Sequence, residues 1–408
     1  MSRPQQARLR RRLLRAGALM SLLAGKAQLA SAGAVVLGAP APSCTPWGAW
    51  VEFADQFLGK GARVIDPSSV RAHSVSEAQA YALFFCLVAN DQVRFEQLLR
   101  WTEDNLAGGD LTMRLPAWLW GRRDDGSWGV IDENSAADAD LWLAYTLGEA
   151  GRLWQQRRYV ALSSLLAERV LREETAQLPG LGRTLLPGPR GFSPEPGRWR
   201  LNPSYMPPFL MRWLAMRSAD ARWQELLQTS LAVLRESSPR GFAPDWAFYR
   251  ADVRKSEAEP GGGHFEGPQL ESSERIGGYD AIRVYLWVGL TAALDPARTQ
   301  LLEHFSPMAD RVGREAAPPE SIDAIDGTAR GEGPSGFSAA LLPFLSALNR
   351  TSALRTQELR LGSRPIRPNA YYERVLSLFA TGWAEARFSF AADGSLVPAW
   401  QQCAVPSH

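Results

Sequence analysis

Three cysteines and four histidines are all that 408 residues offer to metal, redox or thiol chemistry. Cys44, Cys86 and Cys403 form no C-x-x-C pair, and His73, His264, His304 and His408 are too scattered for a zinc site or an acyl-transfer triad. No H-E-x-x-H pair, Walker loop or G-x-S-x-G elbow occurs. Gly331 to Gly336 does match G-x-G-x-x-G, but the polar residues 321 to 330 before it are unlike a strand, and Pro334 obstructs a dinucleotide turn. No cofactor and no metal is expected. After Ala41 nothing approaches the roughly 18 continuous apolar residues of a membrane span, and no fixed-period self-similarity marks a helical repeat array.

Acid is missing from the first 41 residues altogether, whereas Arg3, Arg8, Arg10, Arg11, Arg12, Arg15 and Lys26 all lie there. A basic start, an apolar stretch from Ala16 to Ala24 and small residues with A-x-A sites near Ala32, Ala34 or Ala41 read as an export signal. Arg10-Arg11-Arg12-Leu13-Leu14-Arg15 also has a twin-arginine look. The expected location is therefore periplasmic or secreted. Setting those seven cations aside leaves 38 basic against 43 acidic residues, a formal charge of −5, which argues against nucleic acid as a partner. Outside the cytoplasm a bridge between Cys44 and Cys403 is permitted, while Cys86, in an apolar stretch, reads as a buried thiol.

The rest of the chain shows helical periodicity and hardly any period-2 alternation, which predicts an all-α fold. Helical segments are expected near 47 to 60, 76 to 90, 92 to 107, 135 to 150, 154 to 173, 204 to 217, 219 to 237, 280 to 291, 295 to 309, 335 to 348, 351 to 361 and 370 to 383. Twelve helices joined by short loops can pair into six antiparallel hairpins and close into one ring, an (α/α)6 barrel formed by residues 42 to 408 as a single domain. Three long irregular loops, 108 to 134, 178 to 203 and 239 to 276, are where binding and chemistry are expected. A small β-hairpin is expected from Ala386 to Phe390 around the Asp393-Gly394 turn.

What could carry chemistry is a set of carboxylates at helix starts: Glu77, Asp138 and Asp280. Each also has a purely structural explanation. Ser74-x-x-Glu77 and Ser135-x-x-Asp138 have capping-box spacing or nearly so, and Asp280 could face a helix dipole. The aromatic context points further, because 15 Trp outnumber 9 Tyr and several cluster before Asp138, in Leu115 to Gly121 and Ser127 to Gly129. Indoles stack on the apolar faces of sugar rings, whose hydroxyls need polar partners, so such a cleft suits a polysaccharide.

Taken together these segments resemble glycoside hydrolase family 8. The resemblance runs through Cys44 to Trp47, Ser76 to Tyr81, Leu115 to Gly121, Ser127 to Tyr145 and Asn202-Pro203-Ser204-Tyr205. It continues through Gly278 to Arg283, Gly336 to Ala340 and Gly382 to Glu385. It is closest to the branch of that family that accompanies bacterial cellulose synthesis. It implies an (α/α)6 barrel with an acidic cleft, and endo-acting hydrolysis of β-1,4-glucan with inversion. It also places the general acid on Glu77, the base on Asp280, and a water- and sugar-holding role on Asp138. Trp118, Trp120, Tyr205, Arg283, Tyr279 and Asp140 become the expected substrate-binding residues, and the cellulose synthase machinery an expected partner. Ala137 departs from the Ser or Thr common at its position, which leaves a minor contact in doubt.

Inversion needs a proton delivered from one side and a water activated on the other, by carboxyls roughly 6.5 to 9.5 Å apart. A helix start and Arg283 at i+3 suit an ionised Asp280. Glu77 has to hold a proton near neutral pH, which calls for desolvation or a nearby negative charge, with Asp138 the expected supplier. Two rival readings remain: a chitosanase or xylanase on the same fold, and a barrel that binds glucan without cutting it. The first predicts further acids along the cleft for cationic chitosan; the second predicts a lost acid or base.

Overall fold

The computed structural model describes residues 44–252 and 261–403; the expected export segment lies outside them. Among the described residues are twelve α-helices: α1 (Gly48–Phe57), α2 (Ser76–Val88), α3 (Gln92–Leu106), α4 (Ala137–Leu153), α5 (Arg157–Glu173), α6 (Pro208–Arg217), α7 (Ala221–Glu236), α8 (Ile282–Leu290), α9 (Arg298–Arg314), α10 (Ser335–Ala347), α11 (Thr351–Ser363) and α12 (Tyr371–Ala384). Each falls on an expected segment. The one at 204 to 217 starts late because Pro207 and Pro208 disfavour helix in the residues before them, leaving a 3-10 turn at Pro203–Tyr205.

The helices sort into two layers by the width of their apolar face. The odd-numbered ones are amphipathic; α3 buries Phe95, Leu98, Leu99, Thr102 and Leu106, a stripe at i, i+3, i+4, i+7 and i+11. Of the even-numbered ones all but α12 are buried over most of their surface: every residue of α8 is buried, as is every residue of α2 except Glu77. Helices α2, α4, α6, α8, α10 and α12 pack side by side in that order as an inner ring, and α1 covers α12 from outside. Phe379 of α12 closes the circle against Tyr81, Phe84 and Phe85 of α2, with ring centroids 5.1, 5.4 and 4.7 Å apart. Trp142 of α4 lies near the centre, in ring contact with Tyr81, Phe84, Phe209, Trp287 and Phe379. The barrel axis is thus plugged by aromatic side chains.

Loops alternate in length around this ring. Inner-to-outer turns are short: residues 89–91, 154–156 and 348–350 each turn through one left-handed residue, at Asn90, Gln155 and Asn349. Outer-to-inner loops are long and gather at the rim where all the inner helices begin, so Glu77, Asp138 and Asp280 reach the same end.

Those long loops carry further short strands besides the expected hairpin. The described strands are β1 (Ser74–Val75), β2 (Leu119–Arg122), β3 (Trp128–Asp132), β4 (Thr175–Leu178), β5 (Gly182–Leu185), β6 (Arg198–Leu201), β7 (Ala247–Ala251), β8 (Gly263–Phe265), β9 (Ile276–Gly277), β10 (Ser321–Asp323), β11 (Ala329–Arg330), β12 (Phe388–Phe390) and β13 (Leu396–Pro398). Three-stranded antiparallel sheets β1-β2-β3 and β6-β7-β8 fold over the rim, and β9 to β11 form a third. Strands of two to five residues are too short to print an alternation, and pairs such as Arg200 with Phe248 join segments far apart in sequence. The expected hairpin is β12–β13; its Gly394 has φ +82°, and a Cβ there would lie 2.2 Å from the Phe209 carbonyl oxygen.

Cys44 and Cys403 are joined in a disulfide that ties the two ends of the described chain together. Cys86 is a buried free thiol. Because the bridge constrains a loop spanning nearly the whole chain, Cys44→Ser is expected to lower unfolding stability by about 2–5 kcal/mol. Thermal unfolding with and without reductant checks this; a midpoint equally insensitive to the substitution and to reduction would show that the ends are held by packing alone.

Candidate active site

At the centre of the rim lies the Arg283 side chain, only 2% exposed, with five partners around its two terminal nitrogens, the Tyr81 hydroxyl at 3.5 Å from Nη1 among them. Nη1 donates to Glu77 Oε1 at 2.7 Å and to Asp138 Oδ2 at 3.5 Å, and Nη2 donates to Asp280 Oδ1 at 2.6 Å and Ser204 Oγ at 3.0 Å. One buried cation therefore joins three carboxylates distant in sequence. The carboxylates differ in access: the side chains of Glu77 and Asp280 are 25% and 32% exposed, that of Asp138 only 3%. Glu77 and Asp280 face one cleft of about 690 Å³, lined also by Asp66, Val75, Tyr279, Arg367, Tyr371, Tyr372 and Glu373.

Neither serine of the expected capping boxes caps a helix. Ser74 donates to the Val64 carbonyl, Ser135 donates to Glu174, and the caps of α2 and α4 have no side-chain hydrogen bond. Asp280 precedes α8 in a turn held by another acid. Asp245 Oδ1 accepts from the backbone N–H groups of Gly278, Asp280 and Ala281 at 2.8, 3.0 and 2.7 Å. Asn202 completes the frame: its Nδ2 donates to Asp280 Oδ2 at 3.1 Å, and its Oδ1 accepts from Ser204 Oγ at 2.7 Å. The Ser204 carbonyl in turn takes Trp287 Nε1, linking the site to the aromatic plug.

The three carboxylates differ in surroundings as well as in access. The group in contact with Glu77 is a guanidinium rather than a lone negative charge. The acid pushed well above the usual carboxylate range is Asp138, first by burial and then by the charge of Glu77.

Of the expected binding residues, Tyr279 lies half exposed on the cleft, its carbonyl accepting from the Tyr372 hydroxyl, and the Tyr205 ring packs under Arg283, 5.7 Å from Cζ. Trp118 is half-buried and bridges two site elements by its backbone: its carbonyl accepts from Ser76 N and its N–H donates to the Asn134 carbonyl. Two expectations are corrected. Trp120 is turned away from the cleft, because β2 pairs it with buried Ser74 while Leu119 pairs with cleft-lining Val75; its ring packs with Trp101, Trp128 and Arg63. Asp140 is wholly buried and reaches no sugar site. Its carboxyl faces that of Glu174, and burial followed by their mutual charge pushes it far up. Glu174 rises to about 8, chiefly by burial. Neither Asp140 oxygen, nor Oε2 of Glu174, has a donor among the described residues, so the two share a proton.

Asp245 and Tyr372 were missed. The signal for Asp245 was weak, a single acid in a long loop 35 residues before Asp280, and only folding brings it under that turn.

The comparisons with known proteins agree with this geometry. The model of glycosyl hydrolases family 8 matches residues 25–386. The chain belongs to that family. An endoglucanase of Escherichia coli O157:H7 is 44% identical over 367 residues, covering 90% of this chain and 94% of the relative. One of Xanthomonas axonopodis pv. citri is 45% identical over 396 residues, covering 96% and 97%. The crystal structure of an endo-1,4-D-glucanase from Vibrio fischeri superposes with a TM-score of 0.76 at 41% identity, over 87% of this chain and 99% of that one. This family 8 chain is accordingly a glycoside hydrolase on an (α/α)6 barrel.

Two outcomes follow from the site. Asp245→Ala removes the acceptor under the Asp280 turn and should lower kcat by at least about tenfold, on the order of 1.4 kcal/mol at the barrier, whereas Asp245→Asn keeps an acceptor oxygen and most of the rate. Equal losses in steady-state assays of the two would mean that the charge matters and the hydrogen bonds do not. The Asp140–Glu174 pair binds a proton more tightly folded than unfolded, so its stabilising contribution is present at low pH and is lost as pH rises from about 4.5 toward about 8. Thermal midpoints across that window should fall less for Asp140→Asn than for the parent; parallel profiles would rule the pair out as the source.

Proposed function

We propose that this chain is an endo-acting β-1,4-glucanase that hydrolyses cellulose with inversion, Glu77 acting as general acid and Asp280 as general base. The observation that carries the reading is the pair of carboxyls on one guanidinium. Glu77 and Asp280 take different terminal nitrogens of Arg283, at 2.7 and 2.6 Å, and both open onto the same cleft, so one guanidinium holds them apart as an acid and a base that act from two sides.

In this mechanism Glu77, the one residue of α2 that is not buried, protonates the leaving glycosidic oxygen. Asp138 supplies the proton reserve behind it, and its like charge favours the protonated form of Glu77 once Asp138 ionises. Asp280, fixed by Asn202 Nδ2, Arg283 and the turn that Asp245 holds, takes a proton from the attacking water. Arg283 balances the charge of the cluster throughout, and its burial keeps the reacting groups from drifting apart. Tyr279, Trp118 and Tyr205 are the sugar-contacting groups of this reading.

Export through residues 1 to 41, action in the periplasm or outside the cell by a single catalytic domain from 42 to 408, and work beside the cellulose synthase machinery belong to the same proposal. The acid-free basic head supports export, and so does the Cys44–Cys403 bridge, since disulfides persist in oxidising compartments. No described helix is long and apolar enough to cross a membrane.

Glu77→Gln and Asp280→Asn are each expected to cut reducing-sugar release from carboxymethylcellulose by about 10²- to 10⁴-fold with unchanged circular dichroism. NMR of the first product formed from cellohexaose should show the α-anomer. Near-normal activity in either variant would remove that residue from the mechanism, a β-anomer would overturn inversion, and faster cleavage of chitosan would replace the substrate.

A further inference from the structure

The sheet β6-β7-β8 carries three arginines on one face, and they are not treated alike. Side chains alternate along β6, so Arg198 and Arg200 share a face, while Leu201 is buried on the other. Opposite them on β7 stand Arg250, the partner of Arg198, and Phe248, the partner of Arg200. Glu266 neutralises two of the three, accepting from Arg198 Nε at 2.7 Å and Arg250 Nε at 2.5 Å. Arg200 has no acid in contact; Asp280 and Glu274 act on it only through space. Its side-chain nitrogens make no hydrogen bond or ion pair to any described residue, and Nε is both inaccessible and unpaired. The guanidinium lies flat on the indole of Trp246, 3.6 Å from the ring centroid, and that indole is stacked on Phe192.

The position of this stack is set by the reactive carboxylates. Arg200 is two residues from Asn202, which donates to Asp280, and Trp246 directly follows Asp245, which holds the Asp280 turn. Asp280 is near enough for its charge to act on Arg200. A half-buried guanidinium without a hydrogen-bond acceptor costs stability unless something outside the chain accepts its hydrogens, and its stacking on Trp246 restricts the direction of its donors.

We propose that Arg200, held on Trp246 and Phe192, forms a subsite beside Asp280 that donates hydrogen bonds to the hydroxyls of a neutral glucan residue and repels amino sugars by its charge. This rests on the reading of the cleft as a glucan site but not on the assignment of acid and base. The unpaired donors select between the substrates that this fold can take: glucose units meet free N–H groups, whereas a glucosamine ammonium brings a like charge against the guanidinium in a site of reduced dielectric.

The experiment measures affinity alone, by calorimetric titration with a sulfur-linked, non-hydrolysable cellohexaose and, separately, with a glucosamine hexamer in the same linkage. Loss of a charge-assisted donor should weaken cellohexaose binding to Arg200→Ala by about ten- to a hundredfold, with Arg200→Lys recovering part of it. Unchanged affinity in Arg200→Ala would overturn the subsite, as would equal weakening in Arg200→Lys and Arg200→Ala, since that would report lost packing on Trp246. Binding of the glucosamine hexamer should strengthen in Arg200→Ala; equal or weaker binding would overturn the charge selection. Because no bond is cut, these outcomes are independent of whether Glu77 and Asp280 perform the chemistry.

Discussion

Everything at the rim is arranged around the burial of the Arg283 guanidinium. A cation taken out of water is tolerable only if it is paired and hydrogen-bonded, and removing one partner of such a group is far more costly than never burying it. Glu77, Asp138, Asp280 and Ser204 supply that pairing from four different segments of the chain. The same constraint that satisfies Arg283 therefore sets the spacing of the carboxylates. Stability and catalytic geometry are here one problem with one solution.

The support beneath Arg283 comes from the barrel. Trp287, one helical turn along α8, donates to the Ser204 carbonyl and packs into the cluster around Trp142. Because protein interiors are close-packed, that aromatic plug gives the rim a floor that cannot sink, and the inner helices deliver their first residues at fixed heights above it. The long loops then add short sheets on top. The turn carrying Asp280 is held from below by Asp245 and from the side by Asn202, so three separate loops converge on one carboxylate.

Two pairs of acids illustrate how position in this scaffold decides chemical character. Asp138 and Asp140 are two residues apart at the start of α4, yet one points into the charged cluster and the other toward Glu174 at the rim end of outer helix α5. Both are buried and both hold protons more firmly than a free carboxyl. Only Asp138 does so beside a group that opens onto the cleft. The Asp140–Glu174 pair has no contact with Arg283, and its raised proton affinity ties its contribution to stability to low pH.

The twelve helices were legible in the chain, since apolar faces print a helical periodicity over nine to seventeen residues. So were Glu77, Asp138, Asp280 and Arg283, which sit at or just before helix starts inside recognisable segments. The strands were not legible, because their pairing depends on segments such as 198 to 201 and 247 to 251 meeting across intervening helices. Nor was the orientation of Trp120, which a pairing register of one residue decides, or the separation of Asp140 from the cleft, which a difference of two residues along a helix decides. Sequence by itself determined which residues are apolar, which are charged and how far apart they lie along the chain. The closed ring alone decided which charges meet, because burial energies depend on neighbours in space, and only the tertiary structure brings one guanidinium among three acids.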